Sequence, residues 1–212
     1  MAMITADPTD VPVVVDFQFT PEYLALAREQ IAQYPAGRQA SAVIACLDLA
    51  QRQHDGWLPR AAMDYVAGLL DMAPIRVYEV ATFYTMFQLK PRGKHLLQVC
   101  TTTPCWLRGS DAVMKACREA TGVAPGQVSA DGLFTTVEVE CMGACVNAPM
   151  IQINDTYFED LDEASTKRLI AALKRGETPK PGPQVDRHTS APEGGPTTLT
   201  TIPGGAAPLA KS

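Results

Sequence analysis

Four of the six cysteines stand in two tight pairs, Cys100 and Cys105 in CTTTPC and Cys141 and Cys145 in CMGAC. The spacing is C-x4-C, thirty-five residues, then C-x3-C. Four thiolates grouped two and two suit a metal centre. Zinc takes four cysteine thiolates tetrahedrally, often from short C-x2–4-C pairs. A [2Fe-2S] cluster also takes four, two on each iron. Spacing does not separate these two. The plant-type ferredoxin spacing and the bacterial C-x2-C-x2-C run are both absent, and a Rieske centre needs two His ligands. None of the three His lies near a cysteine pair.

The flanking residues lean toward iron–sulfur. Such a centre is anionic and becomes more so on reduction, so its sulfurs need hydrogen-bond donors. Thr101, Thr102 and Thr103 offer hydroxyls and N–H groups, and Gly143 can turn with positive φ and bring its N–H close. Arg108 and a helix start at Ser110 add positive potential. Trp106 and Met142 are either a shield against water, which tunes a potential, or ordinary packing. Cys46 and Cys117 fall within apolar helical stripes and are read as core residues. His54 and His95 sit at turn or strand edges and His188 in the C-terminal stretch, positions that suit neither ligands nor bases.

The elements that must position the cysteines come in two blocks. Residues 1–19 read as a flexible lead and 20–89 as a helical bundle of three or four helices. Thr20 is a candidate N-cap with Pro21 at the first helical position. A second helix covers about 39–53. HDGWLP (54–59) is a turn, Pro59 opens a third helix, and a fourth runs from near Pro74 into FYTMF. KPRGK (90–94) breaks the pattern.

Within 95–175, HLLQV reads as a strand delivering Cys100 and CTTTPCWLRG as a loop. Ser110 and Asp111 cap a helix that Gly122 ends. FTTVEVE (134–140) reads as a strand delivering Cys141. Met150–Ile153 and Tyr157–Phe158 form a hairpin around Asn154 and Asp155, and a last helix covers about 162–175. A strand, crossover helix and second strand favour a parallel right-handed unit. Both cysteine pairs then emerge at one sheet edge. The order β-α-β-β-β-α is that of thioredoxin-like folds, so the fold class is α+β, a helical bundle followed by a thioredoxin-like domain and an extended tail.

The tail is 176–212. Its 37 residues hold 7 of the 17 prolines and 6 of the 15 glycines, too little apolar surface to order alone. It is either disordered or an arm along a partner anchored by Val185, Leu199 and Ile202.

Composition narrows the classes. A formal charge of -5 with no basic run gives no nucleic-acid surface. No apolar stretch approaches the roughly 20 residues that span a bilayer. Residues 1–19 hold three Asp but no Lys or Arg, unlike a transit peptide, which suits a bacterial cytoplasmic protein or a processed chain. Six cysteines are too sparse here for a disulfide scaffold. There is no dinucleotide fingerprint, no P-loop and no nucleophile–base pair. Three readings stay open on the residues: an electron-transfer subunit, a zinc-stabilised binding module and a free-standing ferredoxin.

Two segments, EVATFYTMFQLKPRGKHLLQVCTTTPCWLRGSD (79–111) and EVECMGACVNAPMIQINDTYFEDL (138–161), together with HDGWLP and the tail KPGPQVDRHTSAPEGGPTTLT, give the chain a specific likeness. It resembles the 24 kDa-type, thioredoxin-like [2Fe-2S] subunits of NADH:quinone oxidoreductase, respiratory complex I, over roughly residues 20–200. The resemblance implies that Cys100, Cys105, Cys141 and Cys145 hold one [2Fe-2S] cluster. It implies a partner flavoprotein carrying FMN, the NADH site and a [4Fe-4S] cluster, with which this cluster exchanges single electrons beside the main cluster chain. It also implies other peripheral-arm subunits, a quinone as final acceptor, and a peripheral place at the cytoplasmic face of the bacterial inner membrane, or the matrix side in a eukaryote. Sister members serve formate dehydrogenases and hydrogenases, and the tail favours complex I over these. Ala148–Pro149 lies where thioredoxin-like folds often hold a cis proline and is a candidate for one.

Overall fold

The computed structural model describes residues 11–192, 194, 195 and 198. The chain forms two compact units that divide between Lys94 and His95.

The first unit is helical: α1 (Pro21–Ala32), a 3-10 turn (Gln39–Ala42), α2 (Val43–Gln53), α3 (Arg60–Leu69) and α4 (Pro74–Phe83). The Thr20 hydroxyl caps α1 by accepting from the Tyr23 N–H at 3.4 Å. The helices share one core that includes Ala27, Leu47, Val66, Leu70 and Val77. Phe17 and Phe19 belong to that core, although they lie in the stretch expected to be a flexible lead. Both rings meet Tyr65 edge-on, at 5.7 and 5.4 Å. Gln53 secures the same segment, donating to the Gln18 carbonyl at 2.8 Å and accepting from the Thr20 N–H at 2.9 Å.

Helix α4, expected to run into FYTMF, ends at Phe83. Tyr84 is extended, and the chain turns so that Phe87 enters the core. The Gln51 side chain replaces the missing helical hydrogen bonds, donating to the Met86 carbonyl (3.2 Å) and accepting from the Gln88 N–H (2.6 Å). Gly56 stands at φ +82°, a backbone conformation that strains other residues, and its carbonyl accepts from Arg92 Nε at 2.9 Å.

The second unit carries a five-stranded mixed sheet in the order β2-β1-β3-β4-β5. Its strands are β1 (His95–Cys100), β2 (Phe134–Val139), β3 (Ile151–Ile153), β4 (Thr156–Glu159) and β5 (Gly182–Pro183). β1 and β2 are parallel, as the crossover rule requires, with Cys100 opposite Val139. β1–β3 and β3–β4 are antiparallel, and β5 joins β4 in parallel. The helices are a short α5 (Thr103–Leu107), α6 (Ser110–Thr121) and α7 (Glu163–Lys174). Leu97, Val99, Val113, Phe134, Ile151 and Ile170 form the core between helices and sheet.

Two capping details differ from expectation or exceed it. α6 starts after Gly109, left-handed at φ +96°, so Ser110 is its first residue and not its cap; Gly122 ends it at φ +77°. α7 has a capping box, the Ser165 N–H donating to Asp162 Oδ1 at 2.6 Å and the Asp162 N–H to Ser165 Oγ at 2.8 Å.

Cys46 and Cys117 are fully buried in the two cores, as their helical spacing predicts. Burial pushes the Cys46 thiol up to about 11 and the Cys117 thiol up to about 12. Both folded-state values lie above the ordinary 9.0, so these thiols favour the fold fully below about pH 9. That contribution is lost as pH rises toward 11 and 12, because only the unfolded chain ionises. Cys117→Ala should cost on the order of 1–2 kcal/mol of packing at neutral pH. Urea midpoints measured from pH 8 upward, under reductant, should then fall less steeply for this variant than for the parent.

Candidate metal centre

Strand β1 ends on Cys100, which is buried and whose N–H donates to the Met150 carbonyl at 3.4 Å. Two residues on, Thr102 is extended and Pro104 lies in the first turn of α5. Cys105 therefore sits within a short helix, buried, where a loop was expected. The difference has a local cause: proline fixes a helical φ and its missing N–H costs nothing in a first turn. Parallel β2 brings the chain to the same edge, and Cys141 follows its last residue by two. Gly143, at φ +83°, aims its N–H at Cys141 Sγ, 3.4 Å away. Cys145 opens a 3-10 turn (Cys145–Asn147), and its sulfur lies 3.5 Å from that of Cys141. Cys141 and Cys145 are exposed, Cys100 and Cys105 buried.

The sulfurs influence one another across the pairs. Burial pushes Cys105 up to about 12, aided by the adjacent Cys100 sulfur and the charge of Cys145, and opposed by the Met150 N–H. Cys145 is raised first by its contact with Cys141, then by desolvation and by the charges of Cys141 and Cys100. Cys141 is lowered, chiefly by the Gly143 N–H, then by Cys145 and, more weakly, Thr102, with desolvation opposing. Among the described residues, no three His, Cys, Asp or Glu side chains gather as a single ion would need. The donor set is two pairs of sulfurs, one buried and one open, at one sheet edge. Two pairs of thiolates fit a [2Fe-2S] centre, which takes two on each iron.

Ala148 and Met150 are buried with Cys100 and Cys105, and Met142, Ala144 and Tyr157 pack against them. The Tyr157 hydroxyl donates to the Met142 carbonyl at 2.9 Å, holding the CMGAC loop against β4. Met142 is thus part of the shield. Trp106 is not: it is 57% exposed, since the first turn of α5 that buries Cys105 directs the next residue outward. The Thr102 hydroxyl is 3.3 Å from Cys100 Sγ, whereas that of Thr101 donates to Glu138 at 2.6 Å across the β1–β2 edge. Arg108 is exposed. The Ala148–Pro149 peptide is cis. Sequence reasoning missed the Met150 N–H and Tyr157, which carry no local motif and reach the site only through the sheet.

A profile of the thioredoxin-like [2Fe-2S] ferredoxin family matches residues 27–174. The chain belongs to this family. An NADH-quinone oxidoreductase subunit of Rickettsia bellii is 53% identical over 161 residues, covering 76% of this chain and 96% of that protein. Mitochondrial NADH dehydrogenase (ubiquinone) flavoprotein 2 of Dictyostelium discoideum is 48% identical over 189 residues, covering 89% of this chain and 76% of that one. Among solved structures, the H2-reduced NAD+-reducing [NiFe]-hydrogenase contains a chain similar at TM-score 0.56 and 23% identity. The match covers 65% of this chain but only 23% of the hydrogenase chain, so it carries the fold alone. The thioredoxin-like family fold, with helices and a mixed sheet, agrees with the α+β class and the thioredoxin-like domain expected. Among the described residues no helix is long and apolar enough to cross a membrane.

Proposed function

We propose that the chain is the electron-transfer subunit of the NADH-oxidising module of a respiratory complex I, and that Cys100, Cys105, Cys141 and Cys145 hold its one [2Fe-2S] cluster. The observation that carries this reading is the 53% identity along nearly the whole length of the Rickettsia bellii protein, joined to two sulfur pairs at one sheet edge. Such a cluster supplies single-electron exchange. The chain's own residues do the rest. Cys100 and Cys105 offer two sulfurs on the buried side, and Ala148, Met150 and Met142 keep water from them. Cys141 and Cys145 offer two on the open side, where a partner can approach. The Thr102 hydroxyl and the Gly143 N–H disperse negative charge on the sulfurs they face.

NADH delivers a hydride, which is two electrons, so a flavin must divide the pair. This chain has no dinucleotide fingerprint, and the reading places FMN and the NADH site on a partner flavoprotein. It treats residues 20–89 as a helical bundle, 95–175 as the cluster domain and 176–212 as an arm that continues toward neighbouring peripheral-arm subunits. The complex would sit at the cytoplasmic face of a bacterial inner membrane, or on the matrix side in a eukaryote. Leu199 and Ile202, the expected anchors of the arm, lie outside the described residues.

The purified chain should be red-brown and give an EPR signal after dithionite, yet stay oxidised with NADH alone. Adding the FMN-containing partner should let NADH reduce it. A colourless protein carrying stoichiometric zinc would end the proposal.

A further inference from the structure

The segment after α7 does not leave the domain at once. It adds β5 to the sheet edge, and the Gln184 N–H donates to the Glu159 carbonyl at 2.9 Å. It then places Arg187 on Asp160, Nε to Oδ2 at 2.9 Å, with only 9% of each side chain exposed. The surface pair Arg175–Glu177, by contrast, leaves 60% and 54% exposed. Arg187 also reaches the turn that carries Cys145: its Nη2 donates to the Val146 carbonyl at 2.8 Å.

Asn147 closes the connection. It is 2% exposed, and its Nδ2 donates to Asp160 Oδ2 at 3.1 Å and to the Thr189 carbonyl at 3.0 Å. Its backbone N–H donates to the Ala144 carbonyl at 3.0 Å, and its carbonyl accepts from the Asp160 N–H at 2.8 Å. Asp160 itself is left-handed, at φ +53°, a conformation that persists where surroundings hold it. Val146 and Asn147, the two residues that follow Cys145, are thereby fastened.

We propose that residues 182–189 are a strap that fixes the Cys145 sulfur, with Arg187 and Asp160 as positioning residues for the metal centre. The strap lies beyond residues 27–174, which the family profile spans. The inference rests on the proposed cluster reading. A sulfur that cannot drift keeps its metal; a freed turn lets the sulfur swing toward solvent and admits water. Groups that hold a metal ligand in place typically carry about 10- to 100-fold in metal affinity.

The test uses the full chain with its iron–sulfur centre, the single variant Arg187→Gln, and the double variant Arg187→Gln/Asp160→Asn, which leaves no unpaired buried charge. Arg175→Gln serves as the control. Bleaching of the visible absorbance by EDTA should be at least about tenfold faster in the strap variants than in parent and control. Their EPR g values and reduction potential should also move, which loss of stability alone would not cause. If Arg187→Gln does not fold, the double variant decides. A double variant that bleaches at the parental rate with the parental g values would overturn the strap while leaving the cluster reading intact. A parent chain with no [2Fe-2S] signal would overturn the cluster reading, and the strap with it.

Discussion

Replacing any one of Cys100, Cys105, Cys141 or Cys145 with Ala is expected to take bound iron from about two per chain to background, because each iron of a [2Fe-2S] centre needs two thiolates. Cys46→Ala and Cys117→Ala should keep full iron. The contrast follows from placement. Cys46 and Cys117 lie in the interiors of α2 and α6, each packed in its own unit's core. The four others lie in two pairs just beyond the ends of β1 and β2, the sulfurs of Cys141 and Cys145 3.5 Å apart. Alanine at 105 leaves a methyl among Ala148, Met150 and Met142, none of which offers a thiolate in its place. Iron per chain and visible absorbance, measured on samples loaded in parallel, decide the matter. Iron lost from Cys117→Ala as fully as from Cys141→Ala would refute the ligand assignment.

Much of the fold was legible because its signals are local. Thr20-Pro21, Gly122, the Asn154-Asp155 turn and the alternation in FTTVEV each carry their instruction within a few residues, and each element formed near its expected bounds. The misreadings share a cause. Phe17 and Phe19 have no periodic partners, so nothing near them announces that Tyr65, almost fifty residues on, will cover them. FYTMF continues an apolar helical stripe, and the Gln51 side chain that stabilises the break comes from another helix. Cys105 reads as a loop residue because helical periodicity needs more than the five residues of α5 to register.

The site was legible at its sulfurs and at Gly143, since spacing and residue type alone specify them. Its surroundings were not. Met150 lies 45 positions after Cys105, and its backbone N–H meets that sulfur only because β3 returns antiparallel beside β1. The Arg187–Asp160 pair is hidden for the same reason, in a segment whose proline and glycine content predicts no order. Composition describes what a segment can do alone; β5 and the Arg187 fork gain their order from a sheet edge already built.

In the chain freed of metal, alkylation at pH 8 should strike Cys141 first and Cys105 far later. The thiolate is the reactive species. Gly143 holds Cys141 below 9.0, so its thiolate fraction exceeds the roughly one tenth of an ordinary thiol at pH 8. Cys105, at about 12, is ionised to only about one part in ten thousand. The more basic thiolate of Cys105 is intrinsically the better nucleophile, which gives back roughly one to one and a half orders of magnitude. A preference for Cys141 of at least about thirtyfold remains, and burial of Cys105 widens it. Timed iodoacetamide labelling under phosphine reductant, read by peptide mass spectrometry, measures the order. Raising the pH from 7 to 9 should speed Cys141 while Cys105, Cys46 and Cys117 stay slow. Equal rates at Cys141 and Cys105 would show that the pairs are not split into an open and a buried half. Loading iron and sulfide should then slow Cys141 and Cys145 to the pace of the buried thiols, since a sulfur bound to iron no longer presents a free thiolate, and only a chain that holds its centre through these residues will show that protection.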